Sequence, residues 1–168
     1  MLAERPTHTP PGPAGHTTTI RTVHHTLFPL MTRITRLEFR AESGPGSRMQ
    51  WNHRGSGHVQ VTVDGPDVFF QEAFTLDNGL PCQDRKCWHF GEDGIIFRHF
   101  REQRFQDILL LVPDTSGIHL VAQAPYACPP DSYDGSLSLH DGTLELRLRI
   151  TGARKDEDIR YRYRADPG

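Results

Sequence analysis

The chain has 168 residues, 36% hydrophobic and 24% charged, with 15 Gly, 13 Pro and a formal charge of −2. That is enough chain for one domain, and a pI near 6.5 gives the molecule as a whole no electrostatic case for nucleic acid. No apolar run approaches the ~18 residues of a membrane span, and Met1-Leu2-Ala3-Glu4-Arg5-Pro6 lacks the basic-then-apolar order of a secretory signal.

Residues 1–25 are rich in Pro, Thr and Gly and show no periodicity, which predicts a disordered tail ahead of a single β-barrel domain over residues 26–168. Within Val23 to Ile34 a short helix has room, but Pro29 argues against a regular one. After that the apolar period is 2. Leu37, Phe39 and Ala41 alternate with charged residues, and Val59, Val61 and Val63 with polar ones. The same alternation carries Val68, Phe70, Glu72, Phe74 and Leu76, then Phe105, Asp107, Leu109 and Leu111. It is clearest in Leu144, Leu146, Leu148 and Ile150 and in Ile159, Tyr161 and Tyr163. Period 2 with one polar face means antiparallel strands that cover a core on one side.

Asp64-Gly65-Pro66, Asp77-Asn78-Gly79, Gly91-Glu92-Asp93-Gly94 and His140-Asp141-Gly142 fall between these runs, and Asp-Gly and Asn-Gly are hairpin chemistry. About nine strands at hairpin spacing are expected, and closing them removes the exposed edges. The predicted fold is all-β: an antiparallel up-and-down barrel, lipocalin/calycin-like.

Charged residues at apolar positions are the informative ones. The alternation turns Glu72 inward, where a carboxylate is costly unless it is paired or the interior is wet. Arg98, between Ile96 and Phe100, and Asp107, between Phe105 and Leu109, take similar odd places and are the expected partners. Such a set reads either as a buried structural ion pair or as the polar groups of a ligand pocket. Trp51 and Trp88 offer aromatic surface for a pocket mouth or for plain core. His99 and His119 have no nucleophile at an interpretable spacing, and neither a G-x-S-x-G elbow nor a phosphate-binding Gly loop occurs. The stripe Arg147, Arg149, Arg154, Lys155, Arg160, Arg162 and Arg164 reads as a solvated face or a surface for an acidic partner or RNA.

Cys82, Cys87 and Cys128 form no disulfide framework, so reduced thiols and a cytoplasmic location are expected. Cys82, Cys87 and His89 are slightly too widely spaced for a zinc motif and lack a second pair, so no metal or cofactor is expected.

The C-terminal third carries a composite signature: Cys128-Pro-Pro-Asp131-Ser-Tyr133-Asp-Gly135, a strand, then Ile150-Thr-Gly152-Ala-Arg154-Lys155-Asp156. It resembles the family known as domain of unknown function 6314, whose members typically end in H-x-C-x-x-D-x-Y-x-G, a strand and a V-x-G-P-R-K-D-Y turn. The resemblance spans residues 50–165 and is specific at the C-terminus. Phe69-Phe70-Gln71-Glu72 resembles the family's aromatic-x-E strand, and Glu102-Gln103-Arg104-Phe105-Gln106 its D-G-R-x-F-H segment. Four positions depart: Tyr126 and Gln106 stand where the family has His, Ala153 where it has Pro, and Glu157 where it has Tyr. The resemblance implies a lipocalin-like barrel and weight on Glu72, Arg104, Cys128, Asp131, Tyr133, Gly135, Gly152, Arg154, Lys155 and Asp156. It carries no activity to transfer.

Three readings follow. The first is a barrel that binds a small, partly apolar, anionic molecule through Glu72, Trp88, Arg98, Arg104, Tyr126, Asp131, Tyr133, Arg154 and Lys155. The second is a cofactor-independent enzyme with Glu72 as acid or base. The third is a partner-binding module using the basic C-terminal hairpin. A small-molecule ligand is the expected partner; membrane and nucleic acid are disfavoured. A closed, dry barrel with Glu72 salt-bridged and no cavity counts against the first two, and a cavity on the order of several hundred Å3 lined by Glu72 and Tyr133 counts against the third as the main role.

Overall fold

The computed structural model describes residues 18–114 and 117–167, and the expected tail over residues 1–17 lies outside them. The first element is a helix, α1 (Ile20–Met31). Thr19 caps it, its Oγ1 accepting the Thr22 N–H at 3.2 Å. Val23, Leu27 and Met31, at i, i+4 and i+8, are fully buried. Residues 20–25, expected as tail, are therefore the first half of a helix. Its apolar stripe is only one side chain wide in a Thr- and His-rich segment, so tertiary docking stabilises it more than propensity does. Pro29 is inside the helix in its last turn, where it leaves the His25 carbonyl without its helical N–H donor but interrupts only the final turn.

Eleven strands follow: β1 (Ile34–Ser43), β2 (His53–Asp64), β3 (Asp67–Leu76), β4 (Pro81–Phe90), β5 (Ile95–Arg101), β6 (Arg104–Pro113), β7 (His119–Ala122), β8 (Tyr126–Cys128), β9 (Asp131–His140), β10 (Thr143–Thr151) and β11 (Asp156–Ala165). Each pairs antiparallel with its chain neighbour, except that β7 and β8 pair with the same edge of β9 as two pieces of one interrupted strand. β11 returns to pair with β1, so ten strands close an up-and-down barrel. Closure leaves no long edge exposed.

The period-2 reading holds along β1, β3, β10 and β11, whose apolar residues fill the interior. Burying each large side chain contributes about 1.5–3 kcal/mol. β2 approaches β3 so closely that a Cβ on Gly57 would stand 2.0 Å from the Ala73 carbonyl oxygen, which only glycine permits.

β5 and β6 carry one irregularity with consequences. Phe97 faces Leu109, but Arg98 faces Asp107, so Ile108 is an extra residue in β6. A one-residue bulge flips every side chain beyond it to the other face. Leu109 and Leu111 point inward, whereas Asp107 and Phe105 point outward and Gln106 faces His99 within the barrel. The expected inward trio of Glu72, Arg98 and Asp107 therefore does not form. Arg98 is outside, 2.6 Å from Asp107 and 3.7 Å from Asp67.

α1 closes one end of the barrel, with His24 and Phe28 edge-on to Phe90 at 5.2 and 5.0 Å. At the other end, residues 44–52 fold against β11 without a helix. Glu157 anchors them by accepting from Ser43 Oγ at 2.6 Å and from Ser47 Oγ, while Gly44 N–H donates to the Asp156 carbonyl at 2.7 Å.

Candidate functional site

Glu72 points inward from the middle of β3, as its alternation predicts, and is 1% exposed. Its partner is Lys86 on β4, equally buried, whose Nζ stands 2.5 Å from Glu72 Oε1. Tyr163 on β11 donates its hydroxyl to Glu72 Oε2 at 2.6 Å. The Lys86 ammonium also lies 3.6 Å above the Tyr161 ring, a desolvated cation–π contact. Both carboxylate oxygens thus have donors, which is what a buried charge requires.

The chain of contacts continues toward the end opposite α1. Lys86 Nζ reaches Asp84 Oδ2 at 2.8 Å, and Asp84 Oδ1 lies 2.5 Å from His99 Nε2. Arg101 Nε donates to His99 Nδ1 at 2.9 Å. An arginine can only donate, so the His99 ring proton sits on Nε2, facing Asp84. The Arg101 guanidinium lies 5.0 Å from the centre of the Tyr133 ring, and Tyr126 meets Tyr133 at 6.0 Å. An unbroken polar file runs from Tyr163 in the buried centre to Arg101 at the rim.

Burial divides the file. Glu72, Lys86 and Tyr163 are sealed, whereas Asp84 and His99 keep 17% and 25% side-chain exposure. Burial pushes the Glu72 carboxyl above its ordinary range against the pull of Lys86. Burial alone would push Asp84 up too, but Lys86 and His99 outweigh it and hold that carboxyl well below the usual range. For Lys86 burial works downward, and the charges of Glu72 and Asp84 with the Tyr161 oxygen overcome it, so the ammonium persists. One lysine serves two carboxylates, and Asp84 has the stronger hold on its charge.

The other expected site residues are scattered. Trp88 is fully buried core between Phe70 and Phe97. Arg104 is exposed at the β5–β6 turn. Asp131 and Lys155 pair with each other at 2.8 Å, and a Cβ on Gly152 would meet Asp131 Oδ1 at 2.3 Å. The Asp131, Gly152 and Lys155 positions of the motif thus form a clasp between strand ends. Arg154 is exposed in the adjoining turn, where its carbonyl accepts the Arg48 N–H at 2.9 Å. Tyr126 and Tyr133 do meet, at the rim. Cys82 and Cys87 point to opposite faces of β4, by their odd separation, and His89 pairs with Asp67 at 2.6 Å.

Sequence reasoning missed Asp84, Lys86, His99 and Arg101. Pro81–Phe90 has no clean apolar alternation to orient it, and β5 carries apolar residues in both alternations, Ile95 and Phe97 in one and Ile96 and Phe100 in the other, so its inward face was ambiguous. The available signal was a Lys and an Asp two apart, in register with a strand already carrying an inward Glu.

The model of the family of unknown function DUF6314 matches residues 35–165. Among solved structures, a de novo designed fluorescence-activating β-barrel is 13% identical, with a TM-score of 0.40, covering 78% of this chain and 91% of its own. No curated protein matches the chain. Among the described residues, no helix is long and apolar enough to cross a membrane.

Proposed function

The chain belongs to the family of unknown function DUF6314, and from that premise we propose that it is a calycin-like barrel that binds a small, partly apolar anion through the end opposite α1. The observation that carries this reading is the state of Arg101. Its Nε is committed to His99 and its plane is held beside Tyr133, yet its terminal nitrogens have no hydrogen-bond partner among the described residues. A guanidinium fixed in place with its fork uncommitted fits a carboxylate, sulfonate or phosphate bidentately. Tyr126 and Tyr133 offer aromatic surface beside it. In this reading Glu72 touches no ligand; it holds Lys86, which holds Asp84, which orients His99. Three free cysteines, with burial pushing the Cys87 thiol up to about 11, fit a reducing cytoplasm.

One contact favours a second reading, in which the barrel is an enzyme. Asp84 and His99 form a carboxylate–imidazole pair with partial solvent access, the arrangement that general acid–base chemistry uses. Glu72, sealed and doubly bonded, is the less suitable group for that role.

The anionic fluorophore 1-anilinonaphthalene-8-sulfonate is a suitable probe, being small, apolar and singly charged. Saturable fluorescence enhancement at one site is expected for the folded chain, weakened about tenfold in Arg101→Ala, the scale of one charge-assisted bond. Equal enhancement in Arg101→Ala and Tyr133→Ala would remove the proposal.

A further inference from the structure

The outer face of β2, β1 and β11 carries two cross-strand rows of basic residues. Arg54, Arg40 and Arg160 stand directly opposite one another across these strands, and Arg147 on β10 extends the row. Two rows along, His58, Arg36 and Arg164 repeat it. Like charges directly opposite on neighbouring strands destabilise a sheet. Between the rows, Ser56 and Thr75 face each other on β2 and β3 beside Glu38 and Arg162 on β1 and β11, and Ala73 faces His58, so the low β2–β3 side forms a depression next to the arginines. The depression forms two adjoining grooves of about 770 and 490 Å3, which share Glu38, Ser56, Thr75 and Arg162.

Charge bookkeeping within the grooves favours an anion. Arg36, Arg40, Arg54, Arg160, Arg162 and Arg164 line them against Glu38 and Asp77. Asp77 turns to His53 at 3.1 Å, and Glu38 reaches only Arg164, at 3.9 Å. Other pairs draw on carboxylates outside the grooves: Arg162 on Glu145 at 2.9 Å, Arg36 on Asp166 at 2.8 Å, Arg160 on Asp158 at 3.5 Å, and Arg40 on Glu42. Arg54 has no carboxylate partner among the described residues.

We propose that this groove is a second ligand site, separate from the barrel end, for a small molecule bearing two or more phosphate groups. The size matches a small-molecule site. The two arginine rows lie about 14 Å apart, four strand rises of ~3.4 Å, so one oligophosphate or a bisphosphorylated ligand can engage both. A nucleic acid strand fits less well, because the aromatic rings at the groove, Phe39 and Phe74, are buried in the core and offer no face for a base to stack on.

Titration calorimetry of the whole chain with inorganic tripolyphosphate tests this. A saturable site that persists in Arg101→Ala is expected, weakening as salt rises, with affinity falling at least tenfold in Arg40→Ala/Arg160→Ala and less in Arg40→Lys, which keeps the charge but loses the fork. Arg104→Ala, outside the groove and the barrel-end site, should leave it unchanged, while Arg101→Ala should remove only binding at the barrel end. The Arg101→Ala arm separates failure of this site from failure of the site at the barrel end. Absence of saturation, equal binding by the double variant, or tighter binding of a single-stranded oligonucleotide of matched charge would each overturn the proposal.

Discussion

Lys86 holds its ammonium 2.5 Å from the Glu72 carboxylate at the centre of the barrel, with each side chain at most 1% exposed. The same ammonium reaches Asp84 at 2.8 Å, so the interior contains two acids and one base rather than a simple pair. Removing different members therefore has different costs. Glu72→Gln leaves Lys86 paired with Asp84 and should cost about 1–3 kcal/mol, the scale of a disturbed buried hydrogen bond. Lys86→Met strands two carboxylates and should cost about 3–5 kcal/mol. Urea unfolding with an unchanged m-value measures both. The reverse order of midpoints would contradict the shared-lysine arrangement.

His24 ties helix docking to pH. Its Nε2 is buried without a partner, its ring packs on Phe90, and burial holds its pKa below the ordinary 6.5. A histidine with a depressed folded pKa stabilises the fold above its unfolded value, and that stability is lost as pH falls through the folded one. Acidification from about pH 7.5 to about 5.5 should lower the melting temperature of the native chain more than that of His24→Leu. Equal losses in the two proteins would show that the helix end is not the sensitive element.

Gly57→Ala tests the tight crossing of β2 and β3. The added methyl meets the backbone oxygen of Ala73, which cannot swing aside as a side chain can. A loss of about 1–3 kcal/mol or more is expected. Gly152→Ala meets the Asp131 carboxylate instead, so its cost should shrink in an Asp131→Ala background. Additive costs in that double variant would mean the two residues do not collide.

The barrel was legible because β1, β3, β10 and β11 alternate cleanly and Asn-Gly and Asp-Gly mark the turns between strands. The inward direction of Glu72 was legible for the same reason. Its partner was not. Alternation through β6 assigns Asp107 to the interior only if the strand is regular, and Ile108 breaks that regularity without any Gly or Pro to mark it. Arg98 follows Asp107 to the outer face. In β4, Lys86 lies in the run Gln83-Asp84-Arg85-Lys86, which is charged on both faces, so no apolar pattern could show that one of these residues is sealed in the core. α1 was half concealed, since Pro29 and a stripe of three apolar residues argue against a helix until the barrel end it covers is known.

The central claim is that the Arg101 and Tyr133 end of the barrel holds a small anionic molecule. Native mass spectrometry of the chain purified from its own source tests it most directly. A retained small-molecule adduct should appear at one per chain and be depleted in Arg101→Ala and Tyr133→Ala. A bare polypeptide mass in the native chain, or an adduct equally abundant in both variants, would contradict it.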